Sequence, residues 1–172
     1  MKQGLIHLYT GDGKGKTTAA VGLSVRAAGN GMRVWFLQFM KGRPSGEIAV
    51  LERLPGVTVR RGECQKFSFQ MTEEEKKAVR FQQDELLREA VSQLEEIDLL
   101  VLDEATSAIS TGLLGEEALQ KLLTQKPPQL ELVLTGRDPA DYMIEAADYL
   151  TQMVKQKHPY DRGIAARRGI EQ

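Results

Sequence analysis

Residues 10–18 read Thr10-Gly11-Asp12-Gly13-Lys14-Gly15-Lys16-Thr17-Thr18. Glycine at alternate positions lets successive backbone N–H groups curl around phosphate oxygens, and a helix opening directly afterwards adds favourable partial charge from its N-terminus. Lys16 supplies a mobile cation, and the Thr17 hydroxyl can ligate magnesium. The segment meets the phosphate-loop pattern G-x-x-x-x-G-K-[ST] except at its first position, where Thr10 replaces glycine. A dinucleotide-binding reading fails on spacing. The glycines fall as G-x-G-x-G, and Leu37-Gln38-Phe39 brings no ribose-binding acid to the end of the second strand-like run.

A second chemical element agrees with the first. Asp98-Leu99-Leu100-Val101-Leu102-Asp103-Glu104 is an apolar run closed by two carboxylates, the form of a Walker B segment. In a parallel sheet such a strand ends near the phosphate loop, where an acid holds magnesium directly or through water.

These residues need a scaffold, and the chain supplies alternating short apolar runs and amphipathic stretches. Strands are expected at Leu5–Tyr9, Arg33–Phe39, Val57–Arg60, Ile97–Leu102, Leu130–Thr135 and Tyr149–Val154. Helices are expected at Lys16–Ala28, Glu47–Leu54, Glu116–Thr124 and Pro139–Ala147, with Gly29-Asn30-Gly31 stopping the first. The longest helix opens at a capping box, Thr72 to Glu75, and runs to about Glu96. Its stripe of Val79, Leu86, Leu87, Ala90, Val91 and Leu94 reads as core, as does Trp35 in the second strand. This alternation predicts an α/β fold, a mostly parallel sheet with helices on both faces.

The 172 residues fit one domain with a real core, and 41% hydrophobic with 27% charged residues excludes a mainly disordered chain. A net charge of −1 argues against a nucleic-acid coat protein. One cysteine and no signal-like or membrane-length apolar segment point to a reducing, cytoplasmic setting without membrane attachment. Cys64 and His7 read as structural. The segment from Lys155 onward carries five basic residues against Asp161 and Glu171, either a solvated terminus or a group that meets anions. His158 in it is left open between structure and function. On these residues alone phosphoryl transfer by an ATPase or small kinase competes with a nucleotide-gated module for nucleic acid.

The loop Tyr9–Ala20 resembles the P-loop type of ATP:corrinoid adenosyltransferase, as do Gln38-Phe39-Met40-Lys41-Gly42, Val101-Leu102-Asp103-Glu104 and Leu134-Thr135-Gly136-Arg137. The ending, Lys157-His158-Pro159-Tyr160 through Gly163 to Gly169-Ile170-Glu171, is similar too, and the unusual Thr10 is what that family carries. The resemblance implies one P-loop NTPase (RecA-like) domain over residues 1–172. It implies a reaction in which the Co(I) of a corrinoid attacks the 5′-carbon of ATP and expels triphosphate, in adenosylcobalamin biosynthesis or salvage. By resemblance Gly11, Asp12, Gly13, Lys14, Gly15, Lys16, Thr17 and Thr18 bind the triphosphate, with Lys16 as its main cation. Lys41 and Arg137 are expected at phosphates or nucleoside, and Thr17, Glu104 and Asp103 at Mg2+. Phe67 and Phe69 correspond to an aromatic pair, the second usually Trp, that closes the lower face of the corrin. The family further implies a homodimer and a flavoprotein reductant. Several members have an extension before the first strand that helps cover the site; here that strand starts at about residue 5, so cover is expected from elsewhere.

Overall fold

A computed structural model of the protein describes residues 3–42, 44–62, 64 and 66–171. Arg43 lies outside the described residues. Among the described residues, six strands form one sheet: β1 (Ile6–Thr10), β2 (Val34–Gln38), β3 (Val57–Arg61), β4 (Leu99–Asp103), β5 (Glu131–Thr135) and β6 (Tyr149–Gln152). Their order is β3-β2-β4-β5-β1-β6, and every pairing is parallel. The helices are α1 (Lys16–Gly29), α2 (Gly46–Leu51), α3 (Glu73–Val91), α4 (Ala105–Ser110), α5 (Glu116–Gln125) and α6 (Asp141–Ala146).

Both faces of the sheet are covered, which is why β4 is apolar along Leu99–Leu102 without alternation. Leu8, Leu100, Leu102, Leu132 and Leu134 point into one core, against Leu87 and Ala90 of α3, Leu119 and Leu122 of α5 and Met143 of α6. Val34, Phe36, Leu99, Val101 and Val133 point the other way, onto Ala20 and Ala27 of α1 and Ile48 and Leu51 of α2. The parallel register aligns the strand ends. Gln38 lies opposite both Arg61 and Asp103, and Tyr9 lies opposite Thr135. All loops that could carry chemistry therefore leave the same edge.

The expected elements form, with local differences. The Thr72–Glu75 box is present: Glu75 N–H donates to Thr72 Oγ1 at 3.2 Å, and Thr72 N–H to Glu75 Oε2 at 2.9 Å. Helix α3 ends at Val91, short of the expected Glu96, and a 3-10 turn over Leu94–Glu96 follows. That break turns the chain so that Ile97 is buried at the entry to β4. It also leaves Val91 37% exposed, so it is not core, while Gln83 joins Leu87 and Ala90 on the buried face. Trp35 is only partly buried and carries Arg60 over its ring, 5.4 Å from the centroid. Pro139 precedes α6 rather than opening it, since Ala140 caps that helix. Helix α4 was not expected, because six residues are too short to display a period.

Leu87→Ala empties a fully buried position and is expected to cost about 2–5 kcal/mol, whereas Val91→Ala should stay within about 0.5 kcal/mol. Urea unfolding checks this, and equal costs would contradict the early end of α3.

Candidate active site

Thr10 is the last residue of β1, in extended backbone that suits a β-branched side chain, so this loop needs no glycine at its first position. Gly11 and Gly15 do need one, at φ of 102° and 121°. The segment leaving β6 presses on the loop. Gly13 N–H donates to the Met153 carbonyl at 2.7 Å, and Met153 N–H to the Thr10 carbonyl at 2.8 Å. A Cβ on Gly11 would stand 2.3 Å from the Met153 oxygen, and one on Gly13 2.7 Å. Asp12 Oδ1 accepts the Lys155 backbone N–H at 3.0 Å, which holds its carboxyl below the usual range. Lys16 Nζ donates to the carbonyls of Gly11 and Gly13 at 2.7 and 2.9 Å. Burial lowers its pKa and Arg137 adds to that, against the opposing pull of Glu104, Asp12 and Asp103.

The two acids at the end of β4 divide their roles by environment. Asp103 has no exposed surface. Its carboxylate accepts from Thr135 Oγ1 (2.7 Å), Gln38 Nε2 (3.0 Å) and Lys41 Nζ (3.2 Å). Gln38 in turn accepts from Arg61 Nε at 2.9 Å, so a hydrogen-bonded row crosses the ends of β3, β2, β4 and β5. Glu104 takes a left-handed conformation, φ 61°, and its N–H donates to Thr135 Oγ1 at 3.0 Å. Its side chain faces the cleft and accepts from Ser107 Oγ at 3.0 Å.

Lys41 joins these acids to the phosphate loop. Its Nζ donates to Thr17 Oγ1 at 3.1 Å and lies 3.6 Å from Glu104 Oε1. Burial pulls its pKa down, but Asp103 and Glu104 outweigh burial and the net shift is upward. Its backbone is held on both sides. Met40, at φ 58°, donates its N–H to Gln83 Oε1 at 3.0 Å, Arg61 Nη2 donates to the Lys41 carbonyl at 3.2 Å, and Gly42 N–H donates to the Cys64 carbonyl at 2.9 Å.

Arg137 reaches the same cleft from the end of β5. Gly136 has φ 139°, and a Cβ there would stand 2.3 Å from Thr106 Oγ1. Thr106 Oγ1 donates to the Arg137 carbonyl at 2.8 Å, and Arg137 N–H donates to Ser107 Oγ at 2.9 Å. Gln38, Gln83, Thr106, Ser107 and Thr135 are thus site-building residues that sequence patterns did not assign. The only signal for them was position, at strand ends or just after the acidic pair.

The cleft has a volume of about 750 Å³ and brings together Asp12–Thr18, Lys41, Glu104 and Arg137. Phe67 lines its rim and Phe69 stacks on Phe67, with centroids 5.5 Å apart and planes within 7°. They are 62% and 81% exposed, an apolar pair held open to solvent. Phe69 does not reach the cleft lining itself. The far end of the chain does reach it, through His158 and Gly169–Glu171. Arg167 fixes that end by donating from Nη2 and Nε to the Glu171 carboxylate at 2.8 and 3.2 Å, which pulls the Glu171 pKa down to about 2. His158 Nδ1 accepts the Tyr160 N–H at 3.2 Å. Cys64 is buried at the wall, where burial raises its pKa and disfavours the thiolate. His7 sits elsewhere, in β1, bonded to Glu131 Oε1 at 2.6 Å and stacked on Tyr149. A second cleft, about 770 Å³ between α3 and α5, contains none of the loop residues. Among the described residues no group of three or more His, Cys, Asp or Glu could hold a metal, and no helix is long and apolar enough to cross a membrane.

Comparison with known proteins bears on this arrangement. The corrinoid adenosyltransferase of Pseudomonas aeruginosa is 31% identical over 171 residues, 99% of this chain and 84% of that protein. The corrinoid adenosyltransferase of Escherichia coli K12 is 34% identical over 175 residues, covering 99% of this chain and 86% of its own. The solved structure of EssC ATPases 2 and 3 from Geobacillus thermodenitrificans superposes with a TM-score of 0.55 at 14% identity, covering 96% of this chain and 35% of that one, a likeness of fold alone. Residues 2–172 match the family described as ATP:corrinoid adenosyltransferase BtuR/CobO/CobP, and the chain belongs to that family.

Proposed function

We propose that this cleft transfers the 5′-deoxyadenosyl group of ATP to the Co(I) of a corrinoid and releases triphosphate. The observation that carries the reading is the meeting, in one cleft of a chain of this family, of the glycine-rich loop with Phe67, on which the exposed Phe69 stacks. A phosphoryl-transfer enzyme has no need of that apolar surface, and no observation favours it.

In the reaction the cobalt electron pair forms the bond to the 5′-carbon while the carbon–oxygen bond to the triphosphate breaks and its pair leaves with the triphosphate. Co(I) is already a strong nucleophile, so the protein supplies no general base. Its tasks are alignment and neutralisation of the leaving group. Lys16, buried at the loop, is assigned the main charge, with Gly11–Thr18, Lys41 and Arg137 around it. The donor set fits magnesium: one hydroxyl and two carboxylates, Thr17, Asp103 and Glu104, converge within 3.1–3.6 Å of a single cationic atom, Lys41 Nζ. Thr17 and Glu104, then Asp103, would hold the ion, which when bound withdraws charge from the triphosphate oxygens. Phe67 and Phe69 are assigned to the lower corrin face, where an apolar wall excludes an axial ligand and eases reduction to Co(I). His158 and Gly169–Glu171, which line the same cleft, are assigned to cover the loop. A cytoplasmic homodimer served by a flavoprotein reductant accompanies this reading, on the family resemblance and the lone buried thiol.

Lys16→Ala should lower the rate of alkylcobalt formation by about 10²–10³-fold, followed anaerobically with chemically reduced corrinoid. A near-normal rate would sink the loop assignment. Phe67→Ala and Phe69→Ala should each weaken the four-coordinate Co(II) signal in electron paramagnetic resonance with ATP bound. Wild-type signal yield in both would remove them from the corrin face.

A further inference from the structure

The three oxygens assigned to a divalent cation already surround a cation belonging to the chain. Lys41 Nζ lies 3.1 Å from Thr17 Oγ1, 3.2 Å from Asp103 Oδ2 and 3.6 Å from Glu104 Oε1. The ammonium donates to Thr17 and Asp103 and pairs by charge with Glu104. The Asp103 charge has no exposed surface, so bulk water does not screen it. Among the described residues, the ion pairs of both Asp103 and Glu104 are made with Lys41. Lys16, the buried lysine of the glycine loop, is committed to the carbonyls of Gly11 and Gly13.

Lys41 is also built to let go. Its side chain is 34% exposed, on the cleft side, while its backbone is clamped by Arg61 and through its neighbours by Gln83 and Cys64. The ammonium can therefore swing on its four-carbon stem without movement of the loop. It cannot share the site, because a divalent ion held by the same oxygens would stand against a like charge at contact distance.

We propose that Lys41 is an internal counter-ion of the metal site, and that it yields the site only when a triphosphate arrives to accept the displaced ammonium. The proposal rests on the assignment of Thr17, Asp103 and Glu104 as metal donors. Two consequences follow from exchange of one cation for another. Without nucleotide the protein binds a divalent metal weakly. With a nucleoside triphosphate, metal and nucleotide each raise the affinity of the other, since one exchange serves both.

Mn2+ binding, measured from the free-ion paramagnetic signal, tests this on the full chain. In nucleotide-free protein, Lys41→Met and Lys41→Gln should bind Mn2+ at least tenfold more tightly than wild type, and Lys41→Arg, which keeps the charge, should not. Lys41→Gln retains a hydrogen-bond donor for Asp103 and so serves if Lys41→Met unfolds, with cooperative melting as the control. Equal affinity of wild type and the neutral variants would overturn the proposal. Adding Glu104→Gln to either neutral variant should abolish the gain, and a gain that persists would also overturn it. The bound-Mn2+ line shape with ATP, compared between wild type and Glu104→Gln, separates the two levels. Identical line shapes contradict the metal-donor assignment itself; different line shapes with equal nucleotide-free affinities contradict only the counter-ion role.

Discussion

Asp103 holds a carboxylate where no solvent reaches, and the way that charge is compensated organises the edge of the sheet around it. Removing one partner from a buried pair costs about 3–5 kcal/mol, so its donors are strongly constrained in place. Thr135 and Gln38 come from the strands on either side of β4, and Arg61 from the next strand fixes Gln38 in turn. The parallel register sets these residues at one level. The final donor, Lys41, crosses to Thr17 and so ties the acidic strand end to the first turn of the helix behind the phosphate loop. A slip of register in β2 or β5 would turn Gln38 or Thr135 to the opposite face and take one donor from the buried charge.

From that fixed row the remaining groups are aimed by backbone rather than by side-chain packing. Glu104 leaves β4 in a left-handed conformation with its N–H on Thr135, which throws its carboxylate outward toward the cleft. Ser107 receives the Arg137 N–H and donates to Glu104, so the acid and the arginine share one anchor in α4. On the other side, the Met153 backbone braces the loop at Thr10 and Gly13, and glycine at 11 and 13 is what lets it approach. The strand β6 thus contributes to the site although none of its residues has site chemistry, and the chain beyond it returns to line the same cleft as the loop.

The strands, the phosphate loop, the acidic pair and the capping box of α3 were legible in the sequence because each is specified by neighbours in the chain: an apolar run, a glycine spacing, a reciprocal pair of side chains. Thr10 departs from the general phosphate-loop pattern because β1 extends through it in extended backbone. The residues that build the site from behind were not legible. Gln38, Thr135 and Gln83 look like ordinary polar residues at the end of a strand or inside a helix, and their partners lie 65, 32 and 43 residues away. Helix α4 is set by the Glu104 turn and the Gly136 approach, not by a periodic face. Val91 fits the apolar stripe of α3 and still faces solvent, because the helix stops there.

The most direct test of adenosyl transfer is identification of what becomes of ATP when the protein is incubated in the dark with magnesium-ATP and chemically reduced corrinoid. Inorganic triphosphate, formed in step with a light-sensitive alkylcobalt spectrum, is the predicted result. Phosphate or ADP with an unchanged corrinoid spectrum would contradict the account and assign the loop to phosphoryl chemistry.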